Sequence, residues 1–134
     1  MRKIMIVDDN YLSAEGIEKN IDWEVLNAEI VHICYNGTSA IDAMKKEPVD
    51  LIILDIEMPD LDGISMSRQA LDINPMVKII LISAYDKFEY ARRALLLGAL
   101  DYIEKPLDYA YLIQKVKNAF ALMEREQKNL DRKS

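Results

Sequence analysis

The sequence predicts a doubly wound α/β fold, in which five parallel strands form one sheet and five helices cover its two faces. Short apolar runs alternate with stretches of helical period along the chain, and this alternation indicates repeated βα units. The apolar runs are continuous, as expected for strands of a parallel sheet that meet water on neither side. The chain has 134 residues, which is the length of one domain.

Five runs rich in Ile, Val and Leu are predicted as strands, and they open at Lys3 (KIMIV), Ala28 (AEIVHIC), Asp50 (DLIIL), Lys78 (KIILIS) and Asp101 (DYIEK). Helices are predicted at residues 14–20, 38–46, 64–72 and 87–97, and a last helix begins at residue 108. Thr38 and Asp108 stand where N-caps are expected, and Gly98 stands where the fourth helix should end. All four prolines fall in connections, which supports these boundaries.

The last helix is amphipathic as far as Met123 and polar beyond it. A helix over residues 108–131 would be about 36 Å long at ~1.5 Å per residue, about twice the length of a typical strand. We therefore expect one domain at residues 1–122. Residues 123–134 are expected to be a projecting helix end, which either frays or leads toward an output domain that this chain lacks.

Composition excludes several classes of protein. With one cysteine, Cys34, and one histidine, His32, the chain has neither a disulfide framework nor a Cys/His zinc cluster, which favours a cytoplasmic location. The first residues, MRKIMIVDD, carry too short an apolar run for a signal peptide, and no run is long enough to span a membrane. Lys and Arg number 17 against 23 Asp and Glu, a net charge of −6, which disfavours direct contact with nucleic acid.

Polar residues that suit catalysis follow four of the five predicted strands, namely Asp8 and Asp9 after the first, Asp55 after the third, Ser83 after the fourth and Lys105 after the fifth. Ligands of doubly wound sheets bind beyond the carboxyl ends of the strands, where the strand order reverses. With the order 2-1-3-4-5, the first and third strands are neighbours at that point. The three carboxylates are therefore expected to converge in one crevice.

Converging carboxylates need a compensating charge, because two like charges at ~4 Å repel by roughly 4 kcal/mol at an effective dielectric near 20. Oxygen ligands without His or Cys favour a hard cation, and Mg²⁺ fits best. Asp55 is the expected nucleophile, because a buried run delivers it to the rim of a central strand and a carboxylate can attack phosphorus. Lys105 adds a positive charge and Ser83 a hydroxyl, so the set predicts phosphoryl transfer.

The segments IVDD, LIILDIEMPDLDG, ILISAY and DYIEKP resemble the receiver domain of two-component response regulators over residues 3–120. The resemblance implies a flavodoxin-like sheet and a phosphoacceptor role for Asp55, with the phosphoryl group supplied by a sensor histidine kinase. It also implies that Mg²⁺ is held by Asp8, Asp9, Asp55 and the backbone carbonyl of Glu57. The resemblance further implies that the chain is not an enzyme beyond self-phosphorylation and slow autodephosphorylation.

The same resemblance assigns further roles. Ser83 would bond the phosphoryl oxygens, Lys105 would contribute its charge, and Tyr102 would rotate as the partner of Ser83 in a conformational switch. A cis peptide bond is implied before Pro106. Three positions depart from the commonest family pattern: Asn10, Asp60 and Glu104.

Two segments, IDWEVLNAEIV and SAYDKFEYARRAL, resemble the receivers of AraC-type transcriptional regulators. This implies an output on gene expression, with DNA bound only through a domain absent from this chain and no membrane partner. Phosphorylation is expected to favour a homodimer through the fourth helix, fifth strand and fifth helix, where Leu96 or Leu97 would be exposed.

Two alternatives stay open. The chain could be a stand-alone receiver. It could also be a Mg²⁺-dependent phosphohydrolase with an aspartyl nucleophile, since Glu57 stands two residues after Asp55, where such enzymes carry their general acid. Those enzymes, however, carry the nucleophile on the first strand of the core. A flavodoxin-type FMN carrier is disfavoured, because DDNYL is the opposite of a Ser/Thr/Gly-rich phosphate loop.

Overall fold

The computed structural model describes residues 1–58, 60–84, 88–96 and 98–133. The strands are β1 (Arg2–Val7), β2 (Ala28–Cys34), β3 (Leu51–Asp55), β4 (Lys78–Ser83) and β5 (Asp101–Glu104). The helices in the described ranges are α1 (Tyr11–Asn20), α2 (Gly37–Lys46), α3 (Gly63–Ile73), α4 (Phe88–Leu96) and α5 (Tyr109–Lys133). The alternation of strands and helices confirms the predicted βα organisation.

All strand pairs are parallel, and the order is β2-β1-β3-β4-β5, as predicted. Alternate residues of the strands enter two separate cores. On one side, residues such as Ile52 and Leu54 pack with α2 and α3; on the other, Leu51 and Ile53 pack with α1 and α5. The strand interior is apolar on both faces for this reason, which explains the continuous apolar runs in the sequence.

Side-chain caps begin α1, α2, α3 and α5, and one predicted cap is wrong. Thr38 lies inside α2, and the N-cap is Asn36, whose side chain accepts a hydrogen bond from the backbone N–H of Ser39 at 2.8 Å. Asn10 caps α1 in the same way, so that helix begins three residues earlier than predicted. Asp108 is confirmed at the start of α5, where its carboxylate accepts from two backbone N–H groups.

Helix α5 has 25 residues and continues to Lys133. Met123 still packs in the core, and most described residues beyond it are exposed. Glu126 joins this segment to the domain, because its carboxylate bonds Lys78 Nζ at 2.8 Å. Among the described residues, no helix is both long enough and apolar enough to cross a membrane.

The sequence predicts that Leu96 or Leu97 is exposed at the end of the fourth helix, and the structure describes the first of these two residues. The side chain of Leu96 is 78% exposed, whereas Leu97 lies outside the described residues. Gly98 follows with a φ of +118°, a left-handed conformation that glycine adopts without a Cβ clash. The predicted end of the fourth helix is therefore confirmed.

Candidate functional site

Three carboxylates meet at the carboxyl edge of the sheet. Asp8 and Asp9 directly follow β1, and Asp55 is the last residue of its neighbour β3. One oxygen from each lies within 4.8 Å of the others. Asp8 and Asp55 are 1% and 3% exposed, whereas Asp9 faces solvent. The convergence predicted from strand order is thus present.

Lys105 reaches these carboxylates from the end of β5. Its Nζ atom lies 2.7 Å from Asp55 Oδ2 and 3.7 Å from Asp8 Oδ2. Partial burial opposes the charge of Lys105, but the hydrogen bond and the attraction of Asp55 outweigh it and raise the pKa of the ammonium. Lys105 therefore stays protonated at neutral pH. The peptide bond to Pro106 is cis, as the family resemblance implies.

The charge of Asp8 is only partly compensated by its surroundings. Its Oδ1 accepts the backbone N–H of Asn10 at 2.9 Å, but its buried Oδ2 has no hydrogen-bond partner among the described residues. Burial raises the pKa of Asp8 from 3.8 to about 6, and the charge of Asp55 adds to this, while the Asn10 N–H opposes it. The ionised form of Asp8 is consequently less favourable than that of a carboxyl in water, and a further cation would stabilise it.

The site fits a divalent cation. Three carboxylates and one ammonium leave a formal charge of −2, which Mg²⁺ would neutralise. The donors are all carboxylate oxygens, the ligands that Mg²⁺ prefers, and Asp8 Oδ2, which accepts no hydrogen bond among the described residues, offers a free lone pair. Asp8, Asp9 and Asp55 are the residues that would hold the ion.

The first residues of the loop after β3 contact the Asp55 carboxylate. The backbone N–H of Glu57 donates to Asp55 Oδ1 at 2.8 Å, so both carboxylate oxygens of Asp55 are fixed, one by Glu57 and one by Lys105. A Cβ at Gly63 would lie 2.9 Å from the backbone of Ile56, and only glycine allows α3 to begin this close to the strand end. Glu57 is thereby held beside the acidic cluster.

Ser83 and Tyr102 end up on the neighbouring strands β4 and β5, as predicted. Ser83 is fully buried, and its hydroxyl donates to the carbonyl of Ala84 at 2.9 Å. Tyr102 is half-buried, and its hydroxyl donates to Glu104 Oε1 at 3.3 Å. Burial raises the pKa of Tyr102, and the adjacent Glu104 charge adds to the effect. Glu104 faces solvent, so its charge does not disturb β5.

Asp60 makes contacts that the sequence pattern does not indicate. Its two carboxylate oxygens accept the backbone N–H groups of Gly37 and Thr38 at 3.0 and 2.9 Å. The Thr38 side chain, together with these N–H groups, lowers the pKa of Asp60 to about 2. No local pattern indicates this contact, because the partners are 22 and 23 residues away.

Comparisons with known proteins place the chain in a family. Residues 4–117 match the model of the response regulator receiver domain, so the chain belongs to that family. The receiver domain of AraT, a response regulator from Geobacillus stearothermophilus, superposes with a TM-score of 0.89 at 34% identity, covering 94% of this chain and 98% of that one. A two-component transcriptional regulator AraC from Clostridium phytofermentans gives 0.88 at 30% identity over 95% and 98%.

A longer relative is the transcriptional regulatory protein YesN of Bacillus subtilis, which is 29% identical over 126 residues. The match covers 94% of this chain but 34% of YesN, so the chain spans about a third of the length of that protein. Receiver domains are phosphoacceptors of two-component systems rather than classical enzymes, they bind Mg²⁺ through acidic residues, and their partner is a histidine kinase. The fold and family expectations from the sequence are confirmed.

Proposed function

We propose that Asp55 accepts a phosphoryl group from a phosphohistidine of a sensor kinase. The observation that supports this most directly is the position of its carboxylate, which lies at the end of a central strand between two other carboxylates and Lys105 Nζ. Asp8, Asp9, Asp55 and the backbone carbonyl of Glu57 would hold Mg²⁺ there. When bound, the ion supplies positive charge to the oxygens of the transferred group.

In the transfer, a carboxylate oxygen of Asp55 forms the new O–P bond while the P–N bond to the donor imidazole breaks. The bonding electrons stay with the imidazole, which takes up a proton. Lys105, whose Nζ lies 2.7 Å from Asp55 Oδ2, would stabilise the negative charge on the phosphoryl oxygens as the group joins Asp55. The Ser83 hydroxyl would exchange the Ala84 carbonyl for a phosphoryl oxygen, and Tyr102 would turn into the space this opens.

Intact mass spectrometry after incubation with Mg²⁺ and acetyl phosphate tests the acceptor. We expect one phosphoryl group on the parent and none on Asp55→Asn. Asp42→Asn, which changes an exposed carboxylate on α2, is the matched control and should be labelled like the parent. Equal labelling of Asp55→Asn and the parent would contradict the assignment. Continuous release of phosphate, with many turnovers per chain, would instead support a phosphohydrolase.

The output is proposed to be control of transcription through an AraC-type DNA-binding domain that follows residues 123–134. The support is that α5 continues as a helix to Lys133 and that the similar proteins YesN and AraC are described as transcriptional regulators. With a net charge of −6, residues 1–134 are not expected to bind DNA themselves. A gel-shift assay that compares this chain with a longer product of the same gene tests the division of roles: DNA binding by this chain alone would contradict it.

A further inference from the structure

The turn between β2 and α2 supplies no carboxylate to the acidic cluster, yet it touches the β1–α1 loop, which carries Asp8 and Asp9, and the β3–α3 loop, which follows Asp55. On one side, Asp60 of the β3–α3 loop accepts the N–H groups of Gly37 and Thr38. These are two of the first N–H groups of α2, which have no partner inside the helix. Asn36 satisfies the next two, through its side chain and its carbonyl. The first turn of α2 is therefore completed by a residue from another loop.

Apolar contacts strengthen the same junction. A Cβ at Gly37 would lie 2.6 Å from Leu61 Cβ, so the β3–α3 loop packs directly on the backbone of the turn. On the opposite side, the ring of Tyr35 meets the ring of Tyr11 edge to face, with centroids 4.2 Å apart. Tyr11 is the first residue of α1 and stands two residues after Asp9, so this contact joins the turn to the loop that holds Asp8 and Asp9.

The contacts form a chain across the rim of the sheet: the β1–α1 loop, the turn at residues 35–38, and the β3–α3 loop. We propose that Asp60 is a positioning residue for Mg²⁺ binding, which locks the β3–α3 loop onto α2 and so holds the backbone of Glu57 in place for the ion. The inference rests on the proposed metal site but assigns its preorganisation to residues that do not touch the ion. A loop held before binding loses less conformational freedom when the ion binds.

Titration of the metal itself tests this. Mg²⁺ is added to the full chain and its Kd is read from amide chemical shifts, for the parent and for Asp60→Ala. Residues that orient metal ligands from outside change affinity by about 10–100-fold, and we expect about tenfold weaker binding for Asp60→Ala. Asp60→Asn keeps one oxygen acceptor and should fall between the two. In phosphorylation by acetyl phosphate, excess Mg²⁺ should restore the rate of Asp60→Ala, because only metal affinity is reduced.

Asn36→Ala is the matched control. It also removes a cap from the first turn of α2, but the hydrogen bonds given for Asn36 go to Ser39 and Ala40 of α2 itself. Both variants should melt at a lower temperature than the parent in EDTA, and only Asp60→Ala should lose Mg²⁺ affinity. A Mg²⁺ Kd of Asp60→Ala within twofold of the parent would overturn the proposal and leave Asp60 with a structural role only.

A double-mutant cycle tests whether Tyr35 acts along the same route. Tyr35→Ala should weaken Mg²⁺ binding. The double variant with Asp60→Ala should lose less binding free energy than the sum of the two single losses, because either change alone breaks the chain of contacts. Strict additivity would contradict a common route. Failure of the proposed function is distinguishable: a parent protein that binds Mg²⁺ but is not phosphorylated on Asp55 refutes the phosphoacceptor role and leaves the Asp60 measurement intact.

Discussion

Replacing Asp8 by Asn should stabilise the metal-free protein while abolishing its affinity for Mg²⁺. Asn is nearly isosteric, and its carbonyl oxygen can still accept the Asn10 N–H that now bonds Oδ1. The change removes the charge of a carboxylate whose second oxygen, Oδ2, is buried and accepts no hydrogen bond among the described residues. A buried ion without sufficient compensation opposes folding, so its removal is favourable.

The magnitude and its pH dependence follow from the pKa of Asp8. Because the folded-state pKa is raised from 3.8 to about 6, ionised Asp8 disfavours the folded state, and the cost grows as pH rises through this window. Linkage gives a cost of roughly 1–2 kcal/mol at pH 5 and about 3 kcal/mol at pH 8 for this pair of values. Since Asn does not titrate, the variant should exceed the parent in stability by these amounts.

Urea unfolding in EDTA at pH 5 and pH 8 measures the difference. Asp9→Asn is the control, because Asp9 faces solvent: it should change metal-free stability by less than about 0.5 kcal/mol and yet weaken Mg²⁺ binding. Addition of Mg²⁺ should stabilise only the parent to a large extent. A stability gain of Asp8→Asn that is equal at both pH values, or a loss at pH 8, would refute the reasoning.

Three further predictions concern other parts of the domain. Lys105→Met leaves Asp55 and Asp8 without their cation and should lower stability by about 2 kcal/mol in EDTA; unchanged urea midpoints would contradict the ion pairing. Glu126→Ala removes the partner of the largely buried Lys78 Nζ and should cost about 1 kcal/mol, whereas Glu124→Ala, which is exposed, should cost less than about 0.5 kcal/mol; equal losses would show that the Lys78 contact is unimportant. Light scattering with a beryllofluoride phosphoryl mimic should give a dimer mass for the parent and a monomer for Leu96→Lys, because Leu96 is exposed on the proposed dimer face; a parent that stays monomeric with Asp55 occupied would exclude dimerisation by this chain.

The local sequence determined the strands and helices, and it determined that the site lies at the carboxyl edge of the sheet. Continuous apolar runs identify buried parallel strands, and a polar residue directly after such a run must lie at its carboxyl end. Asp8, Asp55, Ser83 and Lys105 could therefore be placed from the sequence and the strand order together. Helix starts were less certain, because Thr38 and Asn36 are both good N-caps and only the backbone geometry distinguishes them.

Tertiary structure decided what local pattern does not encode. Asp8 and Asp9 are adjacent and chemically identical, yet one is buried and the other exposed, and burial raises the pKa of Asp8. The bonds from Asp60 to Gly37 and Thr38 join positions more than 20 residues apart and depend on where two loops meet. Burial and long-range contacts arise only when the chain is packed, because the desolvation of a charge depends on every element around it and not on its neighbours in sequence.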